Sequence, residues 1–240
     1  MKKLLHLFIL VFICSFSSKS QGYKYSLSAG VGVTQSYADV SNSLNPQLVF
    51  HANADYYIKD FISIGAEFQS GKLINGREFI VPGENYRNFS GYFENDFKQL
   101  NINTKVGLGQ FVDYSNDDFL KKIRGLYAGV GVGLISNNQK NVRRSFYSPE
   151  DNVFYDFEGS DSERMVTIPF NVGIDLFFKS KKLSPMAIGI NSQMNLIPND
   201  RLEGYDKDFN NRPDLYAFTS LSLKYRFGYS NMFNTNIFPR

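Results

Sequence analysis

Residues 166–176 read Val166-Thr167-Ile168-Pro169-Phe170-Asn171-Val172-Gly173-Ile174-Asp175-Leu176. Every second side chain is large and apolar, and those between are mostly small or polar. A period of two marks a β-strand whose faces meet different surroundings. The pattern recurs in both directions along the chain. Leu126, Ala128, Val130, Val132 and Leu134 alternate with Gly129, Gly131 and Gly133. Leu48, Phe50, Ala52, Ala54, Tyr56 and Ile58 share one face, opposite Gln47, His51, Asn53 and Asp55. Leu221, Leu223, Tyr225 and Phe227 stand against Ser220, Ser222, Lys224 and Arg226. The spacing predicts strands at about 23–36, 46–58, 61–72, 97–111, 122–136, 165–178, 184–198 and 215–227. No window carries a helical period, and beyond residue 20 no apolar run is long enough for a membrane helix.

The connections between these segments alternate long and short. Long loops at one end and tight turns at the other are the plan of an outer-membrane barrel, whose short turns face the periplasm. An even strand number puts both termini at that end. Tyr23, Tyr25, Tyr56, Tyr57, Phe61, Phe111, Phe177, Phe178, Tyr225 and Phe227 also collect there, where amphipathic rings suit a membrane interface. A soluble lipocalin-like carrier is the rival, and it would need an apolar interior with a charged exterior. Here the apolar face is continuous. The other face carries Lys24, Asp55, Glu67, Lys105, Asp175, Lys224 and Arg226 among Gly, Ser and Asn. Those charges can neutralise one another in a narrow lumen but are sparse for a water-facing exterior. The predicted fold is all-β, an eight-stranded antiparallel up-and-down transmembrane β-barrel.

The chain's net charge is +3, but its first twenty residues carry the excess. Lys2 and Lys3 precede an apolar run from Leu4 to Phe16, and Ser18-Lys19-Ser20 supplies small residues around a cleavage site. Residues 1–20 therefore read as a secretory signal, with Sec-dependent export to a Gram-negative-type outer membrane as the expected route. Without Lys2, Lys3 and Lys19 the basic and acidic residues balance, which removes the electrostatic case for nucleic-acid binding. Cys14, the single cysteine, leaves with the signal, so no disulfide scaffold is expected. Aromatic residues at 16% exclude a disordered chain.

Ser220 to Phe227 follows the pattern that commonly ends outer-membrane barrels: a polar residue, a position usually glycine (here Ser222), then aromatics at the sixth and eighth places. With this ending, the leader, the Ala128–Gly133 alternation and the Tyr56-to-Gly65 hairpin, the chain resembles the small outer-membrane barrels of the PorT-like and OmpA-like kind. That resemblance implies an eight-stranded barrel at 21–227 with a short periplasmic tail at 228–240. It also implies a role among anchors, adhesins and secretion accessories.

Two chemical readings stand beside this one. His51 lies on the inward face near the loop end of its strand, with Asp55 four residues on and Ser26 or Ser63 within a strand's reach. Histidine with serine and an acid is the set a lipid-modifying hydrolase needs. The alternation, however, points His51 away from the bilayer, into a polar network with Asp55, Asn53 or Glu67. Asp206, Asp208, Asn210 and Asp214 have partial calcium-loop spacing, but Asn211 stands in the glycine position and Ala217 in that of the final glutamate. The expectation is therefore a protein without catalysis, cofactor or metal. Its partners are outer-membrane lipid and an envelope protein met through loops 73–96 and 137–164. The first of these loops is rich in aromatics: Phe79, Tyr86, Phe89, Tyr92 and Phe93.

Overall fold

The computed structural model describes residues 23–37, 45–59, 61–76, 91–108, 111, 119, 123–148, 152–178, 184–199, 201–205 and 213–229. Eight of its strands close a barrel. These are β1 (Tyr23–Ser36), β2 (Gln47–Lys59), β3 (Ile62–Gly76), β4 (Tyr92–Gly107), β5 (Leu126–Arg143), β8 (Ser162–Phe177), β9 (Met186–Ile197) and β10 (Asp214–Tyr229). Each pairs antiparallel with its sequence neighbour in the barrel, and β10 closes on β1. Two short strands, β6 (Ser145–Ser148) and β7 (Val153–Asp156), form a separate hairpin between β5 and β8. The predicted leader lies outside the described residues.

The strands at one end run further than the sequence predicts. β3 continues to Gly76, β4 begins at Tyr92, β5 reaches Arg143 and β8 begins at Ser162. The stretches 73–76, 92–96, 137–143 and 162–164, expected in loops, are ladder. At the other end β4 stops at Gly107 and β5 starts at Leu126, so that connection is longer than expected. Its turns are closed by Phe111 N donating to Leu108 O and Leu126 N to Ile123 O, both at 2.9 Å. We call the end where β1 begins and β10 stops inner and the opposite end outer.

The pleat sends alternate side chains in and out, and polarity is sorted by both face and height. On β4, Val106, Ile102 and Leu100 face outward while Lys105, Asn103, Asn101 and Gln99 are buried inside. One outward row runs across four strands as Phe68, Leu100, Leu134 and Val166, all exposed and apolar. The next row outward is Ser70, Lys98, Ser136 and Arg164. On these four strands the apolar exterior thus ends within one step of the ladder, whereas on β2 and β1 the same row continues as the exposed Phe50 and Val31. Beyond it, Lys72 Nζ lies 2.7 Å from Glu94 Oε1 and 3.8 Å from Asp96 Oδ1, and Lys140 Nζ is 3.8 Å from Asp96 Oδ2. Bonded to Glu94, the Lys72 ammonium is held above the usual lysine range.

Candidate functional site

The interior is built in layers. The layer toward the inner end is ionic. Lys105 Nζ donates to Asp55 Oδ1 at 3.0 Å and Lys224 Nζ to Asp175 Oδ2 at 2.6 Å; Lys224 also lies 3.9 Å from Asp55 Oδ2. Ser26 Oγ donates to Asp55 Oδ2 at 3.1 Å. Asp55 therefore has two ammonium neighbours and a hydroxyl, and Tyr127 lies under both lysines with ring centroid distances of 5.7 and 5.6 Å. Charges buried this completely are tolerable only when paired and hydrogen-bonded.

Space for the lysine and the amides comes from the facing strand. Lys105, Asn103 and Asn101 of β4 oppose Gly129, Gly131 and Gly133 of β5. A Cβ at Gly131 or Gly133 would collide with the Asn103 or Asn101 side-chain oxygen. The glycine alternation is the negative image of its neighbour's large polar side chains.

Above the ions lies an amide layer. Asn103 Nδ2 donates to Glu67 Oε2 at 2.8 Å. Gln99 Nε2 donates to Asn195 Oδ1 at 2.9 Å and Gln193 Nε2 to the same oxygen at 2.7 Å. Gln69 Nε2 donates to Gln193 Oε1 at 3.2 Å, and the Tyr216 hydroxyl bonds Gln99 Oε1. His51 sits at this level, with Nδ1 3.9 Å from Glu67 Oε1 and its ring edge-on to Phe218 at 5.4 Å.

The outer layer reverses the chemistry. Val49, Leu73, Phe93, Phe97, Ile135, Met165, Ile197, Tyr216 and Phe218 form one buried apolar cluster inside the barrel, drawn from every barrel strand except β1. The last loop drops Leu202 into it, fully buried. Leu202 N donates to Asp214 Oδ2 at 2.9 Å, and its carbonyl accepts from Gln139 Nε2 at 2.9 Å. Outside this plug, Phe157 packs on Tyr205 at 6.1 Å, and Arg144 Nε donates to Gly204 O at 2.8 Å. Burial pushes the Tyr205 phenol well up, with Glu203 adding to the shift. A surface cleft of about 370 Å³ lies beside these residues, crossed by an Arg201–Glu163 ion pair of 3.2 Å.

The residues singled out by sequence part into three groups. Asp55, Glu67, Lys105, Asp175, Lys224 and His51 lie in the bore. Lys24 and Arg226, also expected in the lumen network, sit instead at the inner rim. Arg226 lies over Tyr23 and Phe177 at 4.8 and 4.1 Å and donates to Ser184 O. Lys24 lies against Tyr25 and Tyr56 at 5.7 and 5.5 Å. The strand ends place both beyond the carboxylates, and long side chains there reach aromatic faces at the water boundary. Of the calcium set, Asp206, Asp208 and Asn210 lie outside the described residues, and Asp214 turns inward to hold Leu202 N. Of the aromatic-loop residues, Phe93 is buried in the plug, while Phe79, Tyr86 and Phe89 lie outside the described residues. Sequence reasoning left the plug's Leu73 and Phe93 in a loop and placed no apolar core inside the barrel. Its one signal was the apolar inward set Leu73, Phe93, Phe97, Ile135 and Met165, on the face that is polar lower down.

His51, Ser26 and Asp55 do not assemble as a nucleophilic site. The Ser26 hydroxyl is given to Asp55, Asp55 to lysines, and neither ring nitrogen of His51 is hydrogen-bonded.

No family model matches the chain, and no curated protein is similar to it. Solved structures similar to it include neisserial surface protein A, at 10% identity and a TM-score of 0.48, covering 85% of this chain and 97% of that one. The attachment invasion locus protein Ail of Yersinia pestis matches at 12% and 0.43, covering 86% and 99%. The outer membrane protein OprG of Pseudomonas aeruginosa matches at 8% and 0.43, covering 88% and 100%. Role and ligand rest on this chain's own residues.

Proposed function

We propose that the chain is an integral outer-membrane barrel with a sealed bore, which presents its outer loops as a binding or secretion-accessory surface and carries out no catalysis. The observation that carries this reading is the reversal of polarity at one ladder step. On β3, β4, β5 and β8 the exterior is apolar below it and polar or charged above it, while the interior passes from ions and amides to an apolar cluster joined by a few buried amides such as Asn95. An exterior of Leu, Val, Ile and Phe all round a closed sheet costs too much in water and nothing in lipid. The layered interior argues against a general pore, since an eight-stranded barrel leaves only the room its side chains fill. Loop activity is then the outward chemistry: the cleft lined by Glu158, Glu163 and Arg201, backed by the buried Phe157–Tyr205 pair, offers an envelope protein a polar surface. The test is fractionation. The protein should stay in the outer-membrane pellet through a carbonate wash and migrate differently heated and unheated in detergent. Recovery in the soluble periplasmic fraction would overturn the reading.

A further inference from the structure

The outer wall is not uniformly filled. An apolar groove of about 340 Å³ crosses β1 to β4 near the inner end, with Leu27, Ala54, Ala66 and Ile102 in one outward row. The two alanine methyls make its floor and the larger side chains its walls. The row toward the inner end carries Tyr25 and Tyr56, whose ring centroids are 5.6 Å apart. Lys24 belongs to the inward face by alternation, yet its ammonium lies within 5.7 Å of both of these outward rings. It has left the bore for the rim. No carboxylate among the described residues lies within ion-pairing distance of it, whereas Lys105 and Lys224 are both paired with acids. Of the other cations at this end, Arg226 is spent on Tyr23, Phe177 and the Ser184 carbonyl, and Arg124 lies over Phe177 at 5.1 Å.

We propose that this groove holds one acidic glycerophospholipid of the periplasmic leaflet, with an acyl chain along Ala54 and Ala66 and the phosphate on the Lys24 ammonium. The proposal rests on the outer-membrane reading. The groove is apolar along its length and lies beside a positive charge that has no carboxylate partner among the described residues, which is the complement of an acyl chain joined to an anionic headgroup. Two tyrosine faces hold the ammonium in place through cation–π attraction while leaving it able to bind phosphate.

The test is native mass spectrometry of the full chain released from detergent micelles, titrated with phosphatidylglycerol or with phosphatidylcholine of the same acyl chains. The wild type should retain one phosphatidylglycerol in preference to phosphatidylcholine. Lys24→Gln should lower phosphatidylglycerol retention about fivefold, the share of one lysine at an anionic surface, and Lys24→Arg should keep it. Ala66→Phe, which fills the groove, should remove the bound lipid, while Ala128→Phe, lipid-facing on β5 outside the groove, should not. Equal retention of the two lipids by the wild type, or unchanged retention in Lys24→Gln, would overturn the proposal. Lys24→Gln leaves the groove itself unfilled and its lining unchanged, so it decides even if Ala66→Phe fails to assemble. A carbonate-resistant barrel without headgroup preference sinks the groove alone; a carbonate-soluble protein sinks the membrane reading first.

Discussion

The two halves of one strand obey opposite rules. On β4 the inner half turns Lys105, Asn103 and Asn101 inward and Ile102 and Leu100 outward, while the outer half turns Phe97 and Phe93 inward and Lys98, Asp96 and Glu94 outward. The pleat never changes phase between them, so the reversal comes from the solvent on the far side of the sheet. On the membrane reading that solvent is lipid in the lower half, and polar groups retreat to the bore, where each needs a partner. In the upper half it is water, and the strands pack like those of a soluble barrel, with an apolar core inside. The same barrel is thus stabilised by ion pairs and amides below and by close packing above.

The largest effect should come from breaking the lower half from within. Lys105→Met leaves Asp55 without its nearest cation and should cost about 3–5 kcal/mol, seen as a lower heat-modifiability midpoint. Adding Asp55→Asn should recover part of the loss, because Lys224 keeps Asp175. If the double variant is no better than the single, the ionic layer is not organised around that pair.

Breaking the upper half from within should be comparable but carries a different signature. Leu202→Ala empties the centre of the plug and should cost about 2–5 kcal/mol, with no partner substitution able to restore it. An unchanged midpoint would mean that the last loop does not close the mouth.

From outside, the halves should part more sharply. Val130→Arg puts a charge on the lipid-facing wall and should cost about 2–4 kcal/mol. Asn138→Arg, on the same face of β5 but above the polarity step, should stay within about 0.5 kcal/mol of wild type. Equal assembly yields for the two variants would erase the distinction between the halves.

The same reversal explains how much the sequence discloses. Alternation in 166–176 and 126–134 is strong because lipid and bore differ most there, and it leads directly to a closed eight-stranded barrel. The expected strand limits at 72, 97, 136 and 165 are where polarity flips, at Phe97-Lys98, Leu134-Ile135 and Arg164-Met165-Val166. A pattern that changes sign resembles one that stops, so 73–76 and 92–96 looked like loop though the ladder is continuous. Alternation also orders interior side chains by height without naming their partners. Asp55 meets Lys105, Lys224 and Ser26 because of the strand stagger around the barrel, which a single sequence does not carry. Likewise, Lys24 has the inward parity of a bore residue. Only the position of the strand end brings it to Tyr25 and Tyr56.

The central claim is that on β3, β4, β5 and β8 the bilayer surface lies between two adjacent outward rows, and single cysteines can find it. Cys14 is the chain's one cysteine, so a Cys14→Ser background is clean. In reconstituted vesicles, Asn138→Cys on the outward face above the step should react fully with a membrane-impermeant maleimide. Val132→Cys, below the step on the same strand, should stay protected until the protein is unfolded. Equal labelling of both in the folded state would place β5 in water along its whole length and contradict the account.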